Sequence, residues 1–385
     1  MNCSNWNYPT SVRFGPGRIV ELADACTELE IKRPLLVTDP GLARLDIVQQ
    51  ALHTLKQSGL EPVLCTDVRP NPVGTNVEKG AELYRESGCD GVIPFGGGSA
   101  LDVGKAIGLM SGQTRSLWDF EDVGDNWTKV DEAGVAPMVA VPTTSGTGSE
   151  VGRASVIICE ETRKKKIIFH PKMLPARVIC DPALTVGLPA GLTAAVGMDA
   201  LSHNLEAFCA PGFHPQADGI AVEGIRLVHQ YLARAVRDGG DVEARSGMMA
   251  ASLMGATAFQ KGLGAMHAMA HPIGAVKDAH HGLINAVVMP YVLVMNAPAI
   301  SKRIQRLSAW MELEKQGFQG FLDWVLRMRE AFGIPHSLAE LGMKPEEASD
   351  FARMALADPS AGTNPIPLNE TNTTALFVQA IHGEL

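Results

Sequence analysis

Up to about residue 185 this chain alternates short apolar runs with helix-patterned stretches, and beyond it almost every stretch is helical. Residues 33–39 (RPLLVTD), 61–68 (EPVLCTDV), 90–99 (DGVIPFGGGS) and 136–144 (APMVAVPTT) read as strands. Residues 41–59 and 75–88, and the stretch after 99, carry the helical pattern between them. Such βαβ alternation predicts a parallel sheet with helices on its faces. After the break, helices are expected over 216–238, 241–260, 283–298, 301–314, 318–333 and 346–357, with Pro189 and Gly191 marking the joint. The expected organisation is an α/β domain over 1–185 and an all-helical domain over 186–385.

The helical half holds the densest chemistry. GMDALSHNLEAF places Asp199 and His203 four residues apart, and GAMHAMAHPIGAVKDAHHG places His267 and His271 four apart before His280 and His281. Side chains at i and i+4 share a helix face. The Asp199–His203 pair alone is an ordinary surface pattern, but His267 and His271 stand among Met266, Ala268, Met269 and Ala270, a buried kind of setting. Buried polar groups need partners, and a carboxylate with several imidazoles suits Fe(II) or Zn(II).

Ligands of parallel sheets bind beyond the carboxyl ends of strands. Asp39, leaving the strand in VTDPG, either caps the turn before Pro40 or accepts from the ribose 2′-hydroxyl of NAD and repels a 2′-phosphate. Gly96, Gly97 and Gly98 of FGGGSALDVGKA allow close backbone approach, and Ser99 opens a helix whose amides favour a pyrophosphate. The turn is not GxGxxG, so an ordinary Rossmann domain is not indicated. In PTTSGTGSEVG, Thr143, Thr144, Ser145, Thr147 and Ser149 offer hydroxyls to phosphate or ribose, or form an exposed polar loop.

At 385 residues the chain is long enough for two or three domains and a large core. A formal charge of −9 argues against nucleic-acid and anionic-membrane partners. The basic cluster at 163–166 follows two glutamates and reads as a hairpin turn. No run approaches the roughly 18 consecutive apolar residues of a membrane helix, and the N-terminal residues lack a signal-peptide pattern. Seven cysteines without a CxxC pair read as reduced thiols of a cytoplasmic protein.

GGGSALDVGKAI, PTTSGTGSEV, GMDALSHNLEAF and AMHAMAHPIGA…HHGLINAVVMP, in this order, resemble the signature blocks of the iron-containing (group III) alcohol dehydrogenase family. The resemblance runs from VRFGPGRIVEL at 12–22 to LADPSAGTNP at 356–365. It implies an α/β dinucleotide domain, a helical domain and a metal held by Asp199, His203, His267 and His281. His271 falls on the family's histidine beside the metal, and His280 has no ligand counterpart. By the same matching Asp39, Gly97, Gly98, Ser99, Thr143, Thr144 and Thr147, with Asn71 of RPNP and Lys165, fall on cofactor positions. TNPIPL lacks the arginine that usually follows Asn-Pro, which puts local C-terminal packing in question. The implied protein is an NAD-dependent enzyme using Fe(II), with Zn(II) as competitor, acting on a small alcohol or aldehyde as a homodimer. His271 would relay the alcohol's proton.

Two other classes stay open on the residues alone. One is a metal- and NAD-dependent lyase or cyclase of the dehydroquinate synthase type, which wants phosphate-binding lysines and arginines near the ligands, where few occur. The other is a zinc hydrolase, although Ala268 stands where HExxH has its base. Met266, Met269, Phe259, Phe208 and Phe213 suggest apolar walls for a small aliphatic substrate.

Overall fold

The computed structural model describes residues 10–385, so Cys3 and the chain's first nine residues lie outside it. The described chain divides into two units. One runs to Thr144 and resumes over Gly148–Gly187; the other comprises Ser145–Thr147 and Leu188–Leu385. The second unit thus begins close to the expected joint, and it also takes in three residues of the hydroxyl-rich loop.

The first unit contains β1 (Ser11–Phe14), α1 (Leu22–Glu28), β2 (Pro34–Val37), α2 (Asp46–Gln57), β3 (Val63–Cys65), α3 (Gly74–Glu86), β4 (Gly91–Gly96), α4 (Gly98–Met110), β5 (Val139–Pro142), β6 (Ala154–Cys159), β7 (Lys164–Phe169) and β8 (Arg177–Cys180). Six strands form one sheet in the order β1-β8-β5-β4-β2-β3, and every pairing is parallel. β2, β4 and β5 are buried along their whole length. That is why they read as unbroken apolar runs rather than as alternation. After β3 the chain passes back across β2 to place β4 on its other side, so the direction of winding reverses between β2 and β4. The crevice beyond such a reversal is where open α/β sheets bind ligands.

Several elements differ from the sequence expectation. β1 and β8 were not expected: β1 is an edge strand exposed at both ends with Arg13 within it, and β8 has only Val178, Ile179 and Cys180 as a buried run. The basic cluster is only partly a turn: Arg163 takes a positive φ of 52° and the lysines continue into β7, antiparallel to β6. On α4, Lys105 is 1% exposed, ion-paired with Asp102 at 3.4 Å and bonded to the Ala154 carbonyl. Asp102 also accepts the Ser149 hydroxyl at 2.5 Å and the Val156 amide at 3.0 Å.

The second unit is built from α5 (Ala190–Cys209), α6 (Pro215–Arg237), α7 (Val242–Ala258), α8 (Ala265–Lys277), α9 (His281–Trp310), α10 (Gly317–Ala331), α11 (Ala348–Leu356) and α12 (Glu370–His382). The two helices expected over 283–298 and 301–314 are one 30-residue helix that runs through Pro290 and Pro298. Each proline removes one backbone donor, and the buried apolar side chains of α9 in the helical core outweigh that cost. An 18-residue stretch of α9 is long and apolar enough, by length and composition, to cross a membrane, which the sequence reading did not anticipate; 67% of it is buried within the fold. α12 was not expected. The Asn-Pro segment without its arginine still packs: Asn364 is bonded to Asn296, to the Ala265 amide and to the Ile366 carbonyl. The six described cysteines are all free and buried.

Candidate metal centre

Three helices of the second unit converge on one point. α5 supplies Asp199 and His203, α8 supplies His267, and His281 opens α9. One ligand atom from each of these four lies within 4.8 Å of every other. Asp199 and His267 are 2% and 1% exposed, His203 is buried, and His281 is half-buried. The i, i+4 spacing on α5 puts its two donors on one face. His281 reaches the point because Gly282 lets α9 approach α5: a Cβ there would lie 2.9 Å from the Cβ of Asp199 and closer still to the Ala195 carbonyl.

The imidazoles are held from behind. His267 Nδ1 lies 2.6 Å from Glu206 Oε2, and the other Glu206 oxygen accepts the Met266 amide at 2.7 Å. His203 Nδ1 faces the Gly146 carbonyl at 3.3 Å. Both contacts favour the tautomer with hydrogen on Nδ1, leaving the Nε2 lone pair for an ion, the arrangement typical of metal-bound histidine. The His203 and His267 rings stack at 4.6 Å. Burial lowers the His203 pKa to about 4, so the ring is neutral and ready to ligate. For His267 burial also opposes the charge, but the hydrogen bond and charge of Glu206 outweigh it and hold the pKa above the ordinary value.

These residues fit a divalent ion. Buried imidazoles and one carboxylate, aimed at a common point and backed by a second layer of acceptors, are borderline-to-hard donors suited to Fe(II) or Zn(II).

His271, one turn beyond His267, stacks on the His281 ring at 5.3 Å, and its Nδ1 lies 2.8 Å from Asp358 Oδ2. Burial works against ionising Asp358, yet the neighbouring His271 keeps its pKa below the usual carboxylate value. Of the five expected apolar neighbours Phe259 borders the site, tilted against the His203 ring at 5.3 Å. Phe208, Met266 and Met269 belong to the helical core, and Phe213 is 58% exposed. Glu206, Asp358 and Asn285, which carries out further bonds at the centre, were not singled out from the sequence. Glu206 stands seven residues after Asp199, two helical turns along the same face. Asn285 stands four after His281. That periodicity was the available signal.

The cofactor candidates of the first unit gather at the sheet's winding reversal. Asp39 follows β2, and its Oδ1 accepts the Gly41 and Leu42 amides, both at 2.9 Å. Gly97 caps the start of α4 after β4. Gly96 adopts φ +148°, and a Cβ there would lie 2.8 Å from that of Ala100. A Cβ on Gly97 would touch Thr144 at 3.3 Å, and Thr143 donates its amide to the Gly96 carbonyl at 3.0 Å. Ser99 donates its hydroxyl to the Pro70 carbonyl, which brings the Asn71 loop to the start of α4. Val73 bridges Ile158 of β6, and Ile158 pairs with Lys165 of β7. Thr147 belongs to the segment that clusters with the helical unit.

The chain matches the family description "Iron-containing alcohol dehydrogenase" over residues 9–182 and the C-terminal domain of the Fe-containing alcohol dehydrogenase family over 193–381. It is 40% identical to a 4-hydroxybutyrate dehydrogenase of Cupriavidus necator, covering 93% of this chain and 94% of that protein. It is 33% identical to an NAD-dependent methanol dehydrogenase of Bacillus methanolicus, covering 94% and 96%. A crystal structure of 1,3-propanediol oxidoreductase superposes with a TM-score of 0.92 at 36% identity, covering 99% of this chain and 100% of that one. The chain belongs to the iron-containing alcohol dehydrogenase family. It is an oxidoreductase, and the lyase and hydrolase alternatives find no support among these relatives.

Proposed function

We propose that this protein moves hydride between NAD(H) and a small alcohol or aldehyde, with Asp199, His203, His267 and His281 holding Fe(II). The observation that carries this reading is the convergence of those four donors within 4.8 Å, on a chain of this family. When bound, the ion supplies a Lewis acid for the substrate oxygen and the nicotinamide supplies the hydride carrier. With three neutral imidazoles and one carboxylate, the ligand set leaves a divalent ion a net positive charge. Glu206 fixes the His267 ring and so the direction of its Nε2.

His271 takes the alcohol's proton on Nε2, while Asp358 accepts from Nδ1 and steadies the imidazolium. In the first unit, the α4 amides and the Thr143–Thr144 hydroxyls receive the pyrophosphate, and the charge of Asp39 favours a free ribose 2′-hydroxyl. Asn71 and Lys165 flank the same loop, and Thr147 contributes from the hydroxyl-rich segment. The family resemblance supports a homodimer, the six free cysteines among the described residues support a cytoplasmic location, and the −9 charge supports the absence of nucleic-acid and anionic-membrane partners.

The relatives named above act on short substrates with a primary hydroxyl, which supports that class here. The test is anaerobic reconstitution with Fe(II) and a screen of short alcohols, diols and hydroxy acids following NADH absorbance. NADH formation from at least one is expected. None from any of them, with the ion bound, would remove the assignment.

A further inference from the structure

Asn285 lies completely buried at the centre of the ligand cluster, one helical turn after His281. Its amide nitrogen donates to Asp199 Oδ1 at 2.8 Å and stands 3.2 Å from His281 Nε2 and 3.3 Å from His267 Nε2. It therefore touches three of the four donors. Its own amide oxygen is buried with no hydrogen-bond partner.

Leaving a buried carbonyl without a partner is costly, so this orientation needs a compensating role. The short bond to Asp199 is the one that qualifies: a hydrogen bond to a charged acceptor is about twice as strong as a neutral one. The two imidazole contacts are longer, and those Nε2 lone pairs face the ion site. Carboxylates ligate through one oxygen or through both. An N–H bound to one oxygen of Asp199 restrains how the carboxylate turns toward an ion. Being neutral, the amide also leaves the charge of the ligand set unchanged.

We propose that Asn285 is a positioning residue of the metal centre, its amide N–H holding the Asp199 carboxylate in one-oxygen ligation. The inference rests on the assignment of Asp199, His203, His267 and His281 as ligands. Loss of the bond in Asn285→Ala or Asn285→Leu frees the carboxylate to rotate and to chelate through both oxygens. The leucine variant keeps the branching at Cγ and leaves no cavity, whereas alanine leaves one, so an effect common to both variants reports the hydrogen bond rather than packing.

The experiment uses Co(II) bound to the full-length protein, with affinity measured by chelator competition and geometry read from the visible d–d bands. Both variants should bind Co(II) about 10–100-fold more weakly, as is typical when a partner of a metal ligand is lost. Their d–d bands should weaken relative to wild type, because coordination number rises when Asp199 chelates. Stronger bands in the variants would mean that Asn285 is itself a ligand, through its oxygen, and would overturn the proposal. Wild-type affinity and spectrum in Asn285→Leu would also overturn it, leaving Asn285 as packing. Should neither Asp199→Ala nor His267→Ala weaken Co(II) binding, the ligand assignment itself fails, a result distinguishable from either outcome at Asn285.

Discussion

Glu206 bridges two helices by serving His267 twice over: one oxygen meets the ring Nδ1 at 2.6 Å, and the other accepts the amide of Met266 at the start of α8. The carboxylate thus orients the imidazole and anchors the helix that carries it.

Replacing Glu206 by Gln keeps an acceptor of the same size but removes its charge. The His267 ring should become a weaker, less directed donor. Metal affinity is expected to fall about 10–100-fold, read by chelator competition with Zn(II). Unchanged affinity would show that His267 needs no such support.

His271→Ala should keep its metal and lose about 10²-fold or more in kcat, the usual scale of a lost general base. Asp358→Asn should lose part of that factor. Elemental analysis decides the role: metal lost along with activity would make His271 a ligand.

Asp39→Asn preserves an oxygen for the Gly41 and Leu42 amides while removing the charge. Carboxylate–phosphate repulsion is worth about 1–4 kcal/mol at roughly 4 Å. The kcat/KM preference for NAD over NADP should therefore shrink about tenfold or more. An unaltered ratio would reduce Asp39 to a turn cap.

Glu150 is buried near Lys105, and burial raises its pKa from 4.5 to about 7. An acid whose folded pKa is raised holds its proton more tightly in the folded state. It costs nothing below about pH 4.5, and its penalty grows to full size above about pH 7. Glu150→Gln should therefore stabilise the fold at pH 8, by about 3 kcal/mol at most, with the gain fading toward pH 4. Urea unfolding at several pH values measures it. A difference independent of pH would rule out this origin.

Gly282→Ala would press a methyl against the Ala195 carbonyl and Asp199. α9 should shift, taking His281 away from the other donors, so metal content should drop while secondary structure by circular dichroism persists. Full metal occupancy would show that the helices yield without disturbing the centre.

Asp199, His203, His267, His271, His280 and His281 stood out in the sequence through their close, helix-face spacing, and the family resemblance selected Asp199, His203, His267 and His281 among them. Their supporting partners did not stand out, for a physical reason. His267 and Glu206 are 61 residues apart, His271 and Asp358 are 87, and Asn285 and Asp199 are 86; only packing of α5, α8, α9 and the segment after α11 creates those contacts. β2, β4 and β5 announced themselves by continuous apolarity, whereas β1 is an exposed edge strand carrying Arg13 and β8 has only three buried residues. Prolines misled at α9, where propensity yields to burial along a helix packed into the core.

Because the donors come from α5, α8 and α9, an ion bound among them would act as a stitch between segments far apart along the chain. Only Asp278, Ala279 and His280 separate α8 from α9, and Asp278 takes a positive φ of 52° to make the turn. That corner is fastened on one side by His267 and on the other by His281. Metal content would then set how often this corner opens, and so the shelf life and protease sensitivity of a preparation would track its ion content as well as its turnover.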